Sequence, residues 1–513
     1  MSIVVPKFKQ SVIDVIEKSL QANTVRYYAF AANPVEYQGS IPNNTYDTAN
    51  AALIAGQTMM FGKKLSNNNI APMINNTPWA ANTVFAMYDH TNTSISNSNF
   101  YCITPPSEVS GTYNVFKCLY NNNNSRSTEI PDQLQPSSFT KSDGYIWRYM
   151  YSISTTNYNK FATPLYAPVF PNTTIVNTAY QYSGVDVVVV SNNGSGYIAY
   201  HDGTVKSVAN STLLQIENTA QPTLNYYTNN AIYIYNNTSS TAQLKTIQLY
   251  IANSSGNWVY LNSSANTNNI LAGVTQYKIV PQVKFNTDGD TQPAGYAVVN
   301  TQSNTIQSVV IVEPGYGITR AQANIITSSV APPTVTANIY CVIPPPGGHG
   351  SDCGSELFTK AIGVNFTFAN TESNTIPLDV TYNKIGIIEN PYALNANNTK
   401  GSQYTSVTFN SVLKASVSPS ATFTAGEVVT GNTSQAKAYV VFSNSSTVYL
   451  TGDKQFSNNE YIVSANGDIS TQMTINTLGD IYTKDIVPVH IQNTDNIERA
   501  NGQYETFKII IQV

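Results

Sequence analysis

Aromatic residues alternate between Tyr145 and Tyr151, and this alternation constrains the fold more than any other feature of the sequence. The rings belong to Tyr145, Trp147, Tyr149 and Tyr151. Successive side chains of a β-strand point to opposite faces, so the pattern predicts a strand with all four rings on one face. Asp143-Gly144 just before it predicts a turn, because glycine adopts positive φ without steric cost. With the apolar run Val115–Tyr120 upstream, the sequence predicts two strands joined by a polar loop.

Length and composition indicate a large, mainly β protein. The 513 residues exceed what one ordinary hydrophobic core contains, so two or more domains are expected. Charged residues make up 11%, against roughly 25% in typical globular domains. Asn, Ser, Thr and 35 Tyr replace them, and this mixture is typical of short strands joined by polar loops.

Several classes of protein are disfavoured by what the sequence lacks. The formal net charge is −4 and no basic stripe is evident, so nucleic acid is not an expected partner. No apolar run is long enough to cross a membrane, and no signal peptide is evident at the N-terminus. The cysteines are too few for a disulfide framework: Cys102, Cys118, Cys341 and Cys353. The sequence therefore predicts synthesis in the cytoplasm, without a membrane partner.

The helical signal is confined to the N-terminal region. Residues 7–21 are predicted to form a helix whose apolar positions recur at helical spacing: Phe8, Val12, Val15, Ile16 and Leu20. A weaker helix is predicted from Asn50 to Phe61. Strand-like sequence dominates elsewhere, and the chain ends in an alternating run in which Phe507, Ile509, Ile511 and Val513 share a face.

Changes in residue composition and in strand pattern along the chain predict two inserted segments. The predicted fold class is mainly β and multi-domain, with an N-terminal helix and inserted small β-domains. Residues 167–340 are assigned to an inserted β-domain and residues 405–478 to a small β-module. The module is predicted to be a small barrel or sandwich, because Phe423–Gly431 and Phe456–Val463 are two related segments in which a turn precedes a strand.

The Gly-rich stretch from Gly347 to Cys353 is the strongest candidate for chemistry. His349, Asp352 and Cys353 are all capable of binding a metal, but a structural zinc site needs four ligands and no second pair accompanies them. A Cys353 nucleophile would need a positioned base, and His349, four residues earlier in a Gly-rich loop, is a poor one. We therefore interpret the stretch as a structural turn.

Two other constellations were considered. Glu427 and Glu460 head related strands and could imitate a catalytic carboxylate pair, although exposed turn carboxylates are the simpler interpretation. The aromatic stripe could bind sugars or stack bases, but its one neighbouring cation, Arg148, falls on the other strand face. A core face or a subunit interface is favoured instead. The sequence thus predicts no enzyme and no catalytic, cofactor-binding or metal-binding residue.

Several segments in the same order resemble the baseplate wedge protein encoded by gene 8 in T4-type contractile-tailed phages, in particular its longer, cyanophage-like members. They cover roughly residues 1–166, 341–404 and 479–513. The resemblance implies that residues 1–166, 341–404 and 479–513 form a β-sandwich core with a few helices, and that residues 167–340 and 405–478 are insertions into it. The matching segments are Phe8–Val12, Met59–Lys64, Ala71–Ile74 with Pro78-Trp79, Phe116–Leu119, Ser142–Trp147 with Tyr149, Gly347–Gly350 followed by Glu356-Leu357, Ile385–Pro391, Gly479–Tyr482, Ile491–Asn493 and Gln503–Ile509.

The resemblance implies a structural virion protein without catalysis or cofactor. It implies a homodimer in each wedge of the tail baseplate that contacts the other wedge subunits and links them during assembly and contraction. An alternative is a tail-fibre or spike-like adhesin that binds host surface glycans through its Tyr- and Asn-rich insertions. A third hypothesis is a polysaccharide-degrading enzyme that uses Glu427.

Overall fold

The computed structural model describes residues 6–22, 24–42, 48–106, 111–236, 242–452 and 454–513. Over these ranges the chain is mainly β, with many sheets and an N-terminal helix, as the sequence predicts. It divides into two compact units. Unit 1 comprises Met1–Ile74, Asn159–Pro168 and Thr359–Val513, and unit 2 comprises Asn75–Tyr158 and Val169–Phe358.

The helices within these ranges are short, apart from the first. The α-helices are α1 Pro6–Gln21, α2 Ala49–Thr58, α3 Thr155–Phe161, α4 Thr173–Thr178 and α5 Cys353–Glu356. The 3-10 helices are Asn67–Asn69, Ile95–Asn97, Ala179–Tyr182 and Thr267–Asn269.

The strands are numbered in chain order. The first group is β1 Tyr27–Ala32, β2 Met59–Lys64, β3 Ile70–Asn75, β4 Tyr101–Thr104, β5 Thr112–Asn121, β6 Phe139–Thr140, β7 Tyr145–Ser154, β8 Tyr166–Pro168, β9 Val187–Asn192, β10 His201–Thr204, β11 Ser207–Asn210, β12 Leu213–Ile216, β13 Ala231–Tyr235, β14 Gln243–Asn253, β15 Gly256–Leu261, β16 Gln276–Val280, β17 Gln282–Thr287 and β18 Ala294–Asn300. The second group is β19 Thr305–Glu313, β20 Ala321–Ile326, β21 Asn338–Val342, β22 Ala361–Ala369, β23 Val380–Glu389, β24 Tyr392–Leu394, β25 Lys400–Gln403, β26 Thr408–Asn410, β27 Leu413–Ser418, β28 Val428–Gly431, β29 Lys437–Ser443, β30 Thr447–Gly452, β31 Tyr461–Ser464, β32 Ser470–Thr477, β33 Ile481–Tyr482, β34 Val487–Arg499 and β35 Tyr504–Gln512.

The predicted N-terminal helix is confirmed, but its buried face is not the predicted one. Ile13 and Leu20 are buried, whereas Phe8 and Val15 are 61% and 66% exposed. Ile16 packs against the same core as Ile13 and Leu20. Residues three and four apart share a helix face, so a face centred on Ile13 turns Phe8 and Val15 outward. The second helix ends at Thr58 rather than Phe61, because the chain continues directly as β2.

Unit 1 contains two sheets that enclose a core together with α1. Their strand orders are β26-β2-β1-β23-β34 and β35-β22-β3-β8. The core combines Phe61 and Tyr382 of the first sheet with Phe366 of the second. The predicted alternation at the C-terminus is confirmed, because Ile509 is buried in this core and Phe507, Ile511 and Val513 pack against it. A small three-stranded sheet, β25-β24-β33, is also present.

The module near the C-terminus is a closed barrel with the strand order β27-β30-β29-β28-β31-β32. The two related segments of the sequence form equivalent parts of this barrel. Their strands β28 and β31 pair with each other, and their leading residues Phe423 and Phe456 are both buried in the barrel core. Of the two architectures considered from the sequence, the barrel is the observed one.

The predicted strand–loop–strand element lies in unit 2. Strands β5 and β7 pair antiparallel at the centre of the sheet β4-β5-β7-β6. The turn before β7 is also as predicted, since Gly144 has φ +82° and a Cβ there would lie 2.6 Å from the Asn122 side chain. Asp143 stabilises the loop by accepting hydrogen bonds from the backbone N–H groups of Thr128 and Glu129.

The rest of unit 2 contains a seven-stranded sheet and an incomplete barrel. The sheet has the order β10-β16-β13-β14-β15-β12-β11. The incomplete barrel consists of the sheet β19-β18-β17-β20 and the two-stranded sheet β21-β9, which share one hydrophobic core. Because these two pieces belong to separate sheets, the wall they form is not continuously hydrogen-bonded.

Candidate functional site

The aromatic stripe of β7 is split between two faces by a β-bulge. Tyr149 pairs with Phe116, but Tyr151 pairs with Val115, so Met150 is an extra residue in β7. Adjacent residues Val115 and Phe116 point to opposite faces, and Tyr151 therefore lies on the face opposite to Tyr149. The prediction that four rings share one face is wrong at Tyr151, because a bulge shifts the alternation by one residue.

Burial excludes the stripe from contact with a solvent-borne ligand. Tyr145, Trp147 and Tyr151 are 0% exposed and Tyr149 is 3% exposed. Trp147 stacks on Tyr145 at 5.4 Å between ring centroids and meets Phe85 edge-on at the same distance. The interpretation of these rings as part of the core is confirmed, since Tyr145, Trp147 and Tyr149 belong to one buried cluster of this sheet and Tyr151 is buried on its opposite face.

The opposite face of the same strand pair carries buried charge that the sequence reasoning missed. Lys117 of β5 lies across from Arg148 of β7, and the two side chains are 0% and 1% exposed. Lys117 Nζ lies 2.6 Å from Glu356 Oε1 and 3.3 Å from the centre of the Tyr88 ring. A lysine inside an otherwise apolar strand was the available signal, because a charge at a buried position needs a partner.

His349 completes this cluster and gives the Gly-rich turn its role. Its Nδ1 lies 2.6 Å from Glu356 Oε1 and 3.1 Å from Lys117 Nζ. A proton on Nδ1 suits this position, because the ring then donates to the carboxylate. The backbone N–H of Gly350 donates to Glu356 Oε2 at 2.7 Å. The Glu356 carboxylate therefore connects the turn residues His349 and Gly350 to Lys117 of β5.

The protonation states follow from burial and from the mutual fields of these groups. Burial, together with the neighbouring Lys117 charge, lowers the pKa of His349 to about 4, so the imidazole is neutral at pH 7. Burial alone would raise the pKa of Glu356, but Lys117 and His349 hold it at about 2. Burial lowers the pKa of Lys117 to about 8 against the attraction of Glu356. At neutral pH the cluster is a buried ammonium–carboxylate pair, and a neutral imidazole is hydrogen-bonded to the carboxylate.

The structure separates the three residues considered as metal ligands or nucleophile. Asp352 Oδ1 accepts a hydrogen bond from Ser355 N at 2.9 Å and caps the short helix α5. Cys353 is buried beside the carbonyl oxygen of Met150, and burial raises the pKa of its thiol. His349 contacts Glu356 instead. Each of the three therefore has a local structural contact of its own.

Glu427 and Glu460 occupy matching positions in the barrel and have matching structural roles. Each accepts a hydrogen bond from the backbone N–H three residues earlier, Thr424 N at 2.7 Å and Ser457 N at 2.6 Å. Glu460 also accepts from Thr433 N and Ser434 N, both at 2.8 Å. The interpretation as exposed turn carboxylates is wrong for Glu460, which is 5% exposed, because it satisfies the N–H groups of a second turn.

Unit 2 also has surfaces where a ligand could bind. A cleft of 860 Å³ lies between β9 and β19, next to β6. On the seven-stranded sheet, the partly exposed rings of Tyr233 and Tyr235 stack at 5.4 Å between centroids, and Tyr296 lies 5.1 Å from Tyr233. Lys278 Nζ lies 5.6 Å from the centre of the Tyr235 ring.

Neither a scan against protein-family models nor a search of the curated proteins found a match to this chain. Across the ranges that the structure describes, no helix is both long enough and apolar enough to span a membrane.

Proposed function

We propose that this protein is a structural subunit of a phage tail baseplate wedge, present as a homodimer and in contact with the other wedge subunits. The proposal depends on the ordered segments of resemblance. Several of these segments coincide with regular elements: Met59–Lys64 is β2, Phe116–Leu119 lies in β5, and Ser142–Trp147 leads into β7. A family signature carried by core strands is consistent with a scaffold, because such residues act through packing.

The groups that resembled a reactive site also support a structural role. Lys117, His349 and Glu356 are fully engaged with one another in the interior of unit 2. The Glu460 carboxylate accepts hydrogen bonds from the backbone N–H groups of Thr433, Ser434 and Ser457. The proposal therefore includes no catalytic step and no cofactor, and its location is the baseplate of the virion.

The test is the oligomeric state of the purified chain and its presence in tails. Light scattering should give twice the chain mass of 55.8 kDa at micromolar concentration. An antibody against the chain should label the baseplate end of intact tails in electron micrographs. A monomer at every concentration would remove the dimer, and unlabelled tails would remove the assignment to the virion.

One observation favours a second candidate, an adhesin that binds glycans. Tyr233, Tyr235 and Tyr296 form a partly exposed aromatic group beside Lys278, and aromatic rings with polar neighbours suit sugar rings. A glycan array probed with the wild-type chain and with Tyr235→Ala decides between the two. Selective binding that Tyr235→Ala abolishes would promote this candidate, and an array without signal would dismiss it.

A further inference from the structure

The cleft of unit 2 is lined almost entirely by uncharged side chains. Asp186 is the one charged residue among the described residues that line it. Ser138 Oγ donates to Asp186 Oδ1 at 2.6 Å, and the buried guanidinium of Arg148 attracts the same carboxylate, so its charge is compensated from within the protein. This lining gives a phosphate or a carboxylate no cation to pair with, and one carboxylate is too little for a calcium or magnesium site.

Carboxamide and hydroxyl groups supply the hydrogen-bonding side chains of this lining. Asn122 Nδ2 donates to Asp143 O at 3.0 Å, and Asn193 Nδ2 donates to Ile306 O at 2.8 Å. These two bonds fix the orientation of both amides, so each Oδ1 is a preformed acceptor for a ligand hydroxyl. The carboxamides that line the cleft are those of Asn122, Asn123, Gln181, Asn193 and Gln307.

The loop at the edge of the cleft has a strained backbone. Asn122, Asn123 and Asn124 have φ of +47°, +56° and +62°. Left-handed residues other than glycine ordinarily occur singly rather than in succession. The Asn121 side chain holds this turn, because its Nδ2 donates to Asn124 Oδ1 at 2.9 Å and its Oδ1 accepts from Asn124 N at 3.1 Å. Strain of this kind is concentrated at ligand-binding sites, and here it sets two amides beside the cleft.

Two tyrosine rings give the lining aromatic surface. Tyr120 and Tyr182 both line the cleft and are both partly exposed. The Arg148 guanidinium carbon lies 5.4 Å from the centre of the Tyr182 ring and covers one face of it. A partly exposed ring beside carboxamides suits a sugar, which has C–H groups to pack on the ring and hydroxyl groups that both donate and accept hydrogen bonds. The volume of 860 Å³ is within the range of about 300–1,000 Å³ that is typical of ligand sites.

We propose that this cleft binds a short neutral oligosaccharide. The rings of Tyr120 and Tyr182 would pack against its sugar rings, and the amides of Asn122, Asn193 and Gln307 would bind its hydroxyl groups. The inference goes beyond the role in a baseplate, since it concerns what the cleft recognises rather than where the protein is located. Its site is also distinct from the aromatic group on the seven-stranded sheet that favours the adhesin candidate.

The experiment is an array of neutral and acidic oligosaccharides probed with the full-length chain. Neutral oligosaccharides should bind, whereas those rich in sialic or uronic acid should not, because the lining offers their carboxylates no cation. Isothermal titration with the neutral oligosaccharide of strongest signal then compares variants. Tyr120→Ala should weaken binding about tenfold, since a packing surface is lost. Gln307→Ala removes an exposed carboxamide and should weaken binding about threefold to tenfold.

Two controls separate this site from other surfaces. Gln302→Ala changes an exposed glutamine of the same unit that does not line the cleft, and it should bind within about twofold of wild type. Tyr235→Ala should also bind as wild type does. The proposal is overturned if no neutral oligosaccharide binds, if Tyr120→Ala and Gln307→Ala both bind as wild type does, or if Tyr235→Ala abolishes binding. Labelling of tails by the antibody does not depend on these outcomes, so the failure of one assignment is distinguishable from the failure of the other.

Discussion

Lys117 shows how one residue can link distant parts of the chain. Its ammonium group lies 2.6 Å from the carboxylate of Glu356, which is 239 positions later in the sequence. Both side chains are almost completely removed from water, so the pair has lost its hydration and depends on its mutual contact. The net stabilisation of such a pair is modest, but breaking it is costly, because the remaining partner keeps a buried uncompensated charge.

We therefore expect Lys117→Met to lower the free energy of unfolding of unit 2 by about 3–5 kcal/mol. The double variant Lys117→Met/Glu356→Gln should recover most of this loss. Lys141→Met is the matched control: its partner Asp132 is at 3.1 Å but largely exposed, so about 1 kcal/mol or less should be lost. Urea titration followed by tryptophan fluorescence measures all three. Equal losses for Lys117→Met and Lys141→Met would contradict the buried pair.

His349 and Glu356 should make unit 2 sensitive to acid. The pKa of His349 is lowered from 6.5 to about 4 in the fold, so the unfolded chain binds the extra proton and stability falls as pH drops across that interval. The pKa of Glu356 is lowered from 4.5 to about 2, so its stabilising contribution is complete above 4.5 and is lost as pH falls toward 2. Both effects have the same sign.

In His349→Gln the decline between pH 6.5 and 4 should flatten, while the decline below 4.5 attributed to Glu356 should remain. Unfolding midpoints measured by tryptophan fluorescence at a series of pH values give this profile. A His349→Gln profile superimposable on wild type would contradict the assignment.

At the scale of the element, β7 presents Trp147 to the core and Arg148 to the opposite side, and both faces are buried. Trp147→Ala should reduce the free energy of unfolding by about 3–5 kcal/mol, because a large buried ring is replaced by a cavity. Calorimetry of unit 2 measures the loss without relying on tryptophan emission. Leu224→Ala, at a position 54% exposed in the same unit, should have little effect. An unaltered melting temperature for Trp147→Ala would contradict the core assignment.

The glutamates of the two matching barrel turns should contribute unequally to the free energy of unfolding. Glu460→Gln places an amide NH2 against backbone donors and should cost about 2–3 kcal/mol, since charged acceptors contribute strongly. Glu427→Gln disturbs a single backbone contact of a less buried side chain and should cost about 1 kcal/mol or less. Hydrogen exchange of the barrel amides measures both. Equal effects would show that burial of Glu460 contributes nothing.

At the scale of the whole molecule, the division into two units can be followed with the natural fluorophores. Trp79, Trp147 and Trp258 all belong to unit 2. Phe61→Ala removes a fully buried ring of unit 1 whose centroid lies 5.1 Å from that of the Phe368 ring. The substitution should therefore lower the thermal midpoint of unit 1. Calorimetry should report that shift, and tryptophan emission should not move. A parallel shift of both signals would mean that the two units unfold together.

The sequence by itself determined the local features, because these depend on neighbouring residues. The period of two at Phe507, Ile509 and Ile511 specified a strand with one buried face, and Asp143-Gly144 specified a turn. These signals were enough to give the fold class and the strand–loop–strand element of unit 2.

Only the tertiary structure decided which residues meet across long separations. One extra residue in β7 moved Tyr151 to the opposite face, and burial gave Lys117, Glu356 and Glu460 partners that no periodicity could indicate. The pairing of β9 with β21 and of β19 with β18 is of the same kind, because the pattern along a strand carries no information about which strands lie at its edges.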